Sequence, residues 1–323
     1  MPYDRAVGRI YLGVDGGQSA TTAMVGDGEG NVLGRAKGGP CNHVSGEEAR
    51  ERFVTAIGGA VGEACERAGL GRDRRAFAGG CFGFSGGPAD KRALVEEMFS
   101  FERLTVTHDG WIALAGATAG EAGIIAIGGT GSICFGRNAQ GRTARAGGWG
   151  YVFGDEGGAF DLVRGALRAG LRMEEGWGPE TALRGRLMEA TGAASMNDLL
   201  HWWYTPDWPR SRVAKLAVLV DEAATEGDAV ARELLAGAAQ SLATIVGAVR
   251  GQLFAAGEKV RVAYVGGVFR SGPLRERFRM LTELSEGVTA GPPAYGPAAG
   301  ALLEAYREAG LQVRLKNVPE IEK

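Results

Sequence analysis

One short pattern occurs twice in this chain and restricts the fold more than any other feature. Asp15-Gly16-Gly17-Gln18-Ser19 lies between apolar runs at residues 9–15 and 21–27, and Gly128-Gly129-Thr130-Gly131-Ser132 lies between runs at 123–127 and 132–137. Each pair is followed by a third run, at 31–37 and at 142–146. Short alternating runs broken by Gly turns predict antiparallel meanders of three strands. The letters repeat as well: GRAKGG (34–39) closes the first meander and TARAGG (143–148) the second. A duplicated α/β unit follows, and two copies facing each other would enclose a central cleft suited to a ligand.

Between and after the meanders the apolar spacing switches to that of helices. Phe53, Ile57, Ala60, Val61 and Ala64 predict a helix over 47–69. A strand at 77–85, a helix at 89–100, a strand at 104–107 and a helix at 111–119 complete a βββαβαβα half. The second half carries helices at 158–169, 179–191 and 213–256, a strand at 260–265 and a helix at 298–309. The 323 residues suit two domains. The boundaries fall at 1–119, completed by the C-terminal helix in 297–323, and at 120–296. Element ends near 119–121 and 293–297 would form the hinge.

Charge and cysteine usage narrow the partners. Thirty-six Lys and Arg against 38 Asp and Glu leave a net charge of −2, so no polycationic face calls for nucleic acid or an anionic membrane. The 55 glycines exceed the usual share of about 7% but follow no three-residue period. Cys41, Cys65, Cys81 and Cys134 stand far apart, with only three His in the chain, which excludes zinc-finger and thioredoxin patterns. No apolar run approaches the roughly 20 residues of a bilayer span. These features lead to a cytoplasmic protein acting on a small molecule.

Five segments can carry chemistry. In the first Gly turn, Gly16 and Gly17 let backbone amides approach an anion, and the Ser19 and Thr21 hydroxyls can add donors. Asp15 would repel phosphate directly, so its role there would be to hold Mg²⁺; the alternative is a plain tight hairpin. Thr130 and Gly131 repeat that chemistry in the second half. Asp109, in Thr107-His108-Asp109-Gly110, falls between a strand and a helix, where α/β sheets place ligand chemistry and where Asp also serves as an N-cap. Trp149, Asp155 and Glu156, in GGWG (147–150) and GDEG (154–157), combine an aromatic face with carboxylates, as a sugar pocket requires; either carboxylate can instead serve the helix that follows. Gly266 and Gly267, after an apolar strand, leave room for a flat heterocycle, with Ser271 and a helix start beyond them.

Taken in order, DGGQS (15–19), the Asn42-His43 step, HDG (108–110), GGTGS (128–132), GGWGYVFGDEGGAF (147–160), VGGV (265–268) and PPAYGPAAGALL (292–303) resemble the N-acetylglucosamine kinase group. That group is part of the BadF/BadG/BcrA/BcrD ATPase-like branch of the actin, chaperone and sugar kinase superfamily. The resemblance implies two RNase H-like domains around a cleft, ATP and Mg²⁺ as cofactors, and phosphorylation of the 6-hydroxyl of an amino sugar, N-acetylglucosamine ahead of glucosamine, N-acetylmuramate or glucose. It implies that Asp109 is the catalytic base and that Asn42, Asp109, Ser132, Trp149 and Asp155 contact the sugar. Gly16, Gly17, Ser19, Thr130 and Gly131 would serve the nucleotide phosphates, Gly266, Gly267 and Ser271 the adenosine, and Asp15 the metal. Discrimination at C2 and C3 of the sugar would rest on Ser132, Ile133 and Ala159. The same superfamily includes ATPases that activate radical enzymes through a cysteine-bridged iron–sulfur cluster, but their Cys-Gly-Gly context is absent here. A homodimer is also expected, with the Trp-rich stretch 199–209 either a packed helix end or a dimer surface.

Overall fold

The first Gly turn joins β1 (Ile10–Gly16) to β2 (Thr21–Asp27), an antiparallel pair in register from Ile10 opposite Asp27 to Gly16 opposite Thr21. After β3 (Val32–Gly38) the chain crosses through α1 (Glu47–Arg67) to β4 (Ala76–Phe84), and through α2 (Arg92–Met98) to β5 (Ser100–His108). β4 lies parallel to β1, and β5 parallel to β4. The computed structural model describes residues 8–41, 46–87 and 90–320. The sheet order is β3-β2-β1-β4-β5, and α3 (Asp109–Ala117) starts where β5 ends. Phe53, Ile57, Ala60, Val61 and Ala64 form the buried stripe of α1 against one face of this sheet, alongside Leu12 and Val14.

The second unit repeats the plan. β6 (Gly123–Gly128), β7 (Ser132–Arg137) and β8 (Thr143–Gly147) form the meander, and β9 (Val260–Val265) and β10 (Val288–Gly291) add parallel strands. The order β10-β9-β6-β7-β8 is the first sheet's order with the second unit's strands in equivalent places. The chain is thus a duplicated α/β protein of two RNase H-like domains. One unit comprises Met1–Glu121 with Pro293–Lys323, the other Ala122–Pro292.

A helical insertion separates β8 from β9: α4 (Ala159–Glu174), α5 (Ala182–Thr191), α6 (Met196–Trp202), α7 (Arg210–Ala214), α8 (Ala217–Thr225) and α9 (Ala229–Leu253). The single helix expected over 213–256 is therefore three. Gly227, at φ 108°, breaks the run, and Asp228 caps the next helix by accepting the Ala231 N–H at 2.8 Å. The sequence pattern also missed α6 and the four-residue β10, both too short for a periodicity to show. The 25-residue α9, with a mean hydropathy of 1.3, is long and apolar enough for a bilayer, but its Leu235, Ala239, Leu242, Val246 and Val249 belong to the second unit's core. In the Trp-rich stretch, Trp202 and Trp203 pack against that core and Trp202 stacks on Trp208 at 5.9 Å. Only Tyr204 among its aromatics is exposed. A 3-10 turn (Gly267–Arg270) and α10 (Gly272–Glu283) then lead from β9 to β10.

The last helix, α11 (Pro297–Glu308), belongs to the first unit and covers the face of its sheet opposite α1, over Tyr11, Met24 and Ala78. The fit is close enough to demand glycine. A Cβ on Gly300 would stand 1.9 Å from the Ile112 carbonyl oxygen, and one on Gly13 2.3 Å from the Leu302 nitrogen. The Tyr306 hydroxyl donates to the Asp27 carbonyl at 2.7 Å, and its burial pushes its pKa up.

Candidate active site

In the second unit two Gly-rich corners interlock. β6 and β7 pair down to Gly128 opposite Ser132, leaving Gly129-Thr130-Gly131 as the turn. Gly266, at φ 109° where β9 ends, packs onto it: a Cβ there would lie 2.2 Å from the Gly128 carbonyl oxygen. The Gly129 and Thr130 carbonyls accept the Ala159 and Phe160 N–H groups at the start of α4, at 2.9 and 3.0 Å. The Thr130 and Gly131 N–H groups have no hydrogen-bond partner among the described residues, and Thr130 is exposed. A turn whose carbonyls are turned into the fold and whose amides stay available is an anion cradle.

The same turn holds the carboxylate of the GDEG loop. Asp155 is buried and adopts φ 64°, a backbone region that costs a non-Gly residue energy unless neighbours impose it. They do so on three sides. Its Oδ1 accepts the Ser132 N–H at 3.4 Å, its Oδ2 accepts the Arg210 Nη2–H at 2.8 Å, and a Cβ on Gly131 would stand 2.4 Å from the carboxyl group. Arg210 also lies over the rings of Tyr151 and Phe160, at 4.7 and 5.6 Å. Glu156, by contrast, is exposed, and of the two carboxylates only Asp155 is built into the site. Trp149 is 66% exposed, with the Arg145 guanidinium 4.8 Å from its ring centre. Ser132 is buried, and its hydroxyl donates to the Glu156 carbonyl at 2.7 Å.

A cavity of about 570 Å³ opens beside this turn, bordered by Gly129, Thr130, Gly267 and Ser271, with walls from α4, α8 and α9. Three of the expected nucleotide positions, Thr130, Gly267 and Ser271, therefore share one pocket. Gly131 and Gly266 do not line it: Gly131 faces Asp155 and Gly266 packs on Gly128. Ser271 Oγ accepts the Leu274 N–H at 3.3 Å and so caps α10. Ala159 lines this cavity too.

In the first unit, Asp15 and Gly16 end β1 and Asp109 begins α3 after β5, at one edge of the sheet. β4 lies between them, so two strand spacings set their backbones roughly 10 Å apart. Asp15 is half-buried; Asp109 is exposed, its Oδ1 accepting the Gly110 N–H at 2.8 Å. Ser19 is exposed in the turn and Gly17 donates to the Ala20 carbonyl at 2.9 Å. Thr21 does not serve as a phosphate donor: it is fully buried and its hydroxyl donates to the Gly39 carbonyl at 2.8 Å. Asn42 lies outside the described residues. Among the described residues no group of three His, Cys, Asp or Glu gathers. Mg²⁺ does not need one, since it commonly takes one or two carboxylates and completes its shell with phosphate oxygens and water; Asp15 at the sheet edge fits that requirement.

Sequence reasoning missed two charged groups. Arg210 is 55 residues from the carboxylate it holds, and no local pattern marks it. Lys91 is buried, its Nζ donating to the Gly87 carbonyl at 2.9 Å beneath the Phe84 ring. Burial pushes the Cys41 thiol up, and among the smaller influences Asp15 adds to that shift while Lys91 opposes it. All four cysteines are free and buried, each with a raised pKa caused first by burial.

The chain is 32% identical over 285 residues to an N-acetylmuramic acid/N-acetylglucosamine kinase of Clostridium acetobutylicum, covering 86% of this chain and 91% of that one. It is 30% identical over 283 residues to an N-acetyl-D-glucosamine kinase of Dictyostelium discoideum, covering 83% and 88%. A crystal structure from Chromobacterium violaceum, of a proposed N-acetylglucosamine kinase, superimposes with a TM-score of 0.70 at 28% identity over 92% of this chain and 99% of that one. The BadF/BadG/BcrA/BcrD ATPase family pattern matches residues 12–305, a span that takes in both Gly turns, the GDEG loop and three quarters of α11, and this chain belongs to that family.

Proposed function

We propose that the chain transfers the γ-phosphoryl group of ATP to the 6-hydroxyl of an amino sugar, with N-acetylglucosamine as the preferred acceptor. The observation that carries the proposal is the turn at residues 128–132: its available amides suit a phosphate, while its Ser132 N–H and Gly131 face hold the Asp155 carboxylate. An acceptor bound at Asp155 would therefore lie next to the anion it receives. The relatives named above act on the same class of acceptor by their names.

In this reading Asp155 accepts hydrogen bonds from sugar hydroxyls, Trp149 offers its exposed face to the ring, and Ser132 orients Asp155. Asn42 and Asp109 complete the sugar contacts. Asp109 takes the proton from the attacking hydroxyl, as a positioned carboxylate can. Thr130 and Gly131, with Gly16, Gly17 and Ser19, hold the phosphates, so that transfer depends on position and charge more than on covalent chemistry. Gly266, Gly267 and Ser271 border the nucleoside. Asp15, with the phosphates, would hold Mg²⁺, which would supply neutralisation of the charge that builds up on them.

The iron–sulfur activator reading loses support, because a cluster shared between subunits needs accessible thiolates and these four thiols are buried. Free thiols suit a reducing cytoplasm. The homodimer is retained as part of the proposal, with sedimentation as its check; the packing of Trp202 and Trp203 against the core favours the packed-helix-end reading of that stretch. A coupled ADP-release assay across N-acetylglucosamine, N-acetylmuramate, glucosamine and glucose tests the main claim. The highest kcat/KM should fall on an N-acetylated sugar. Higher values for glucose or glucosamine than for both N-acetylated sugars would reverse the preference, and sugar-independent ATP hydrolysis without transfer would restore the activator reading.

A further inference from the structure

The 570 Å³ cavity contains one acidic side chain that the proposed reaction does not use. Asp221 lies on α8, one turn after Ala217 and Val218, and all three line the cavity. Asp221 is half-buried, and its Oδ1 is buried with no hydrogen-bond partner among the described residues. Half of the other wall residues, including Ala159, Leu162, Val268 and Leu235, are apolar, and the two cations that also line the cavity, Lys215 and Arg270, are exposed and make no bond to Asp221 among the described residues. A carboxylate oxygen removed from water and left without a donor in such walls is costly, so a native site that keeps one needs a donor from elsewhere.

Electrostatics then restricts the donor. The phosphates of a bound nucleotide belong at the Thr130–Gly131 amides and would be repelled by Asp221, so the carboxylate has to serve the uncharged end of the molecule. We propose that Asp221 is the specificity residue for the nucleoside and accepts a hydrogen bond from a donor on it, either the 6-amino group of adenine or a ribose hydroxyl. The inference rests on the nucleotide-binding role given to this cavity. It adds a residue far in sequence from Gly266, Gly267 and Ser271, and it gives the helical insertion a task in choosing the phosphoryl donor.

The test measures nucleotide binding by calorimetry on the intact protein, with no sugar present, so that it does not depend on turnover. The probes are ATP, purine riboside triphosphate (ATP without the 6-amino group), 2′-deoxy-ATP and 3′-deoxy-ATP. Wild type should bind ATP roughly 10- to 100-fold tighter than the one analogue that lacks the bonded donor, the range expected for a hydrogen bond to a charged group. Asp221→Ala should weaken ATP by a similar factor and bind that analogue as well as it binds ATP. Asp221→Asn, which keeps a neutral acceptor of the same shape, should fall between. The analogue that loses affinity identifies the donor. Thermal unfolding without nucleotide should be no lower in Asp221→Ala than in wild type, since the change removes a buried carboxylate oxygen that has no partner among the described residues. Equal ATP affinity in wild type and both variants, or a loss shared equally by all four nucleotides together with a lower unfolding temperature, would overturn the proposal. Normal binding with no sugar phosphorylation would count against the kinase reading and leave the role of Asp221 standing.

Discussion

Asp155 keeps its left-handed backbone because Arg210, Ser132 and Gly131 surround its carboxylate, and the pair can be tested by removing the cation. Arg210→Ala leaves a buried carboxylate short of its partner. Because Arg210 is itself more than a third exposed, solvent screening keeps the stability loss to about 1–2 kcal/mol. The larger effect should fall on the sugar KM, raised about tenfold or more, with the ATP KM nearly unchanged; initial rates over both substrates would show this split. Arg210→Lys should rescue only in part, since an ammonium lacks the planar face that lets Arg210 bond Asp155 while lying over the Tyr151 ring. Asp109→Asn should keep sugar affinity and lose about 100-fold or more in kcat; a nearly active variant would remove Asp109 from the role of base. Asp155 and Asp109 could be named as candidates from the sequence because each sits in a short motif beside glycines, and the structure ties Asp155 to the Gly turn at 128–132. Arg210 was not, because its meaning exists only after the α6–α7 segment folds back over Phe160.

Among the elements, the joint between α8 and α9 shows why a run of helical spacing can mislead. Every window from 213 to 256 has helical character, yet Gly227 and Asp228 turn the chain. Burial alone would raise the Asp228 pKa, but hydrogen bonds from the Ala231 and Ala182 N–H groups and the Thr181 hydroxyl outweigh it and hold it below the ordinary carboxylate value. Its stabilisation is therefore complete above the unfolded pKa of about 4 and fades as pH falls through the lower folded value. Asp228→Asn should cost about 1 kcal/mol at pH 7 and show a smaller loss between pH 5 and 3 than wild type in denaturant titrations. The α3–α11 contact makes a sharper demand. Gly300→Ala places a methyl against the backbone of Ile112 and Gly116, so the helices have to separate at a cost of about 3 kcal/mol. Calorimetry should find unfolding lowered by on the order of 10 °C. A sequence names Gly300 but does not say which backbone comes within reach of it.

The duplication was readable across the whole molecule because both meanders keep their Gly turns and closing GG pairs, and the two sheet orders match strand for strand. The helical insertion and β10 were less readable, since the insertion has no counterpart in the first unit and β10 is only four residues long. A fragment ending at Glu121 should stay largely unfolded by circular dichroism, because Tyr11, Met24 and Ala78 lose the cover of Leu302 and Tyr306. Supplying residues 293–323 as a peptide should restore its helix and strand signal; a fragment that folds alone would contradict the place given to α11. That shared construction also sets a timetable at the ribosome. The strands of the first sheet are translated first, but α11 emerges only after Ala122–Pro292 has been made. At roughly 5–20 residues per second the wait is on the order of ten seconds or more. Throughout it the Tyr11 face of the sheet lacks the cover of α11, and the first domain is finished only once that helix has been made.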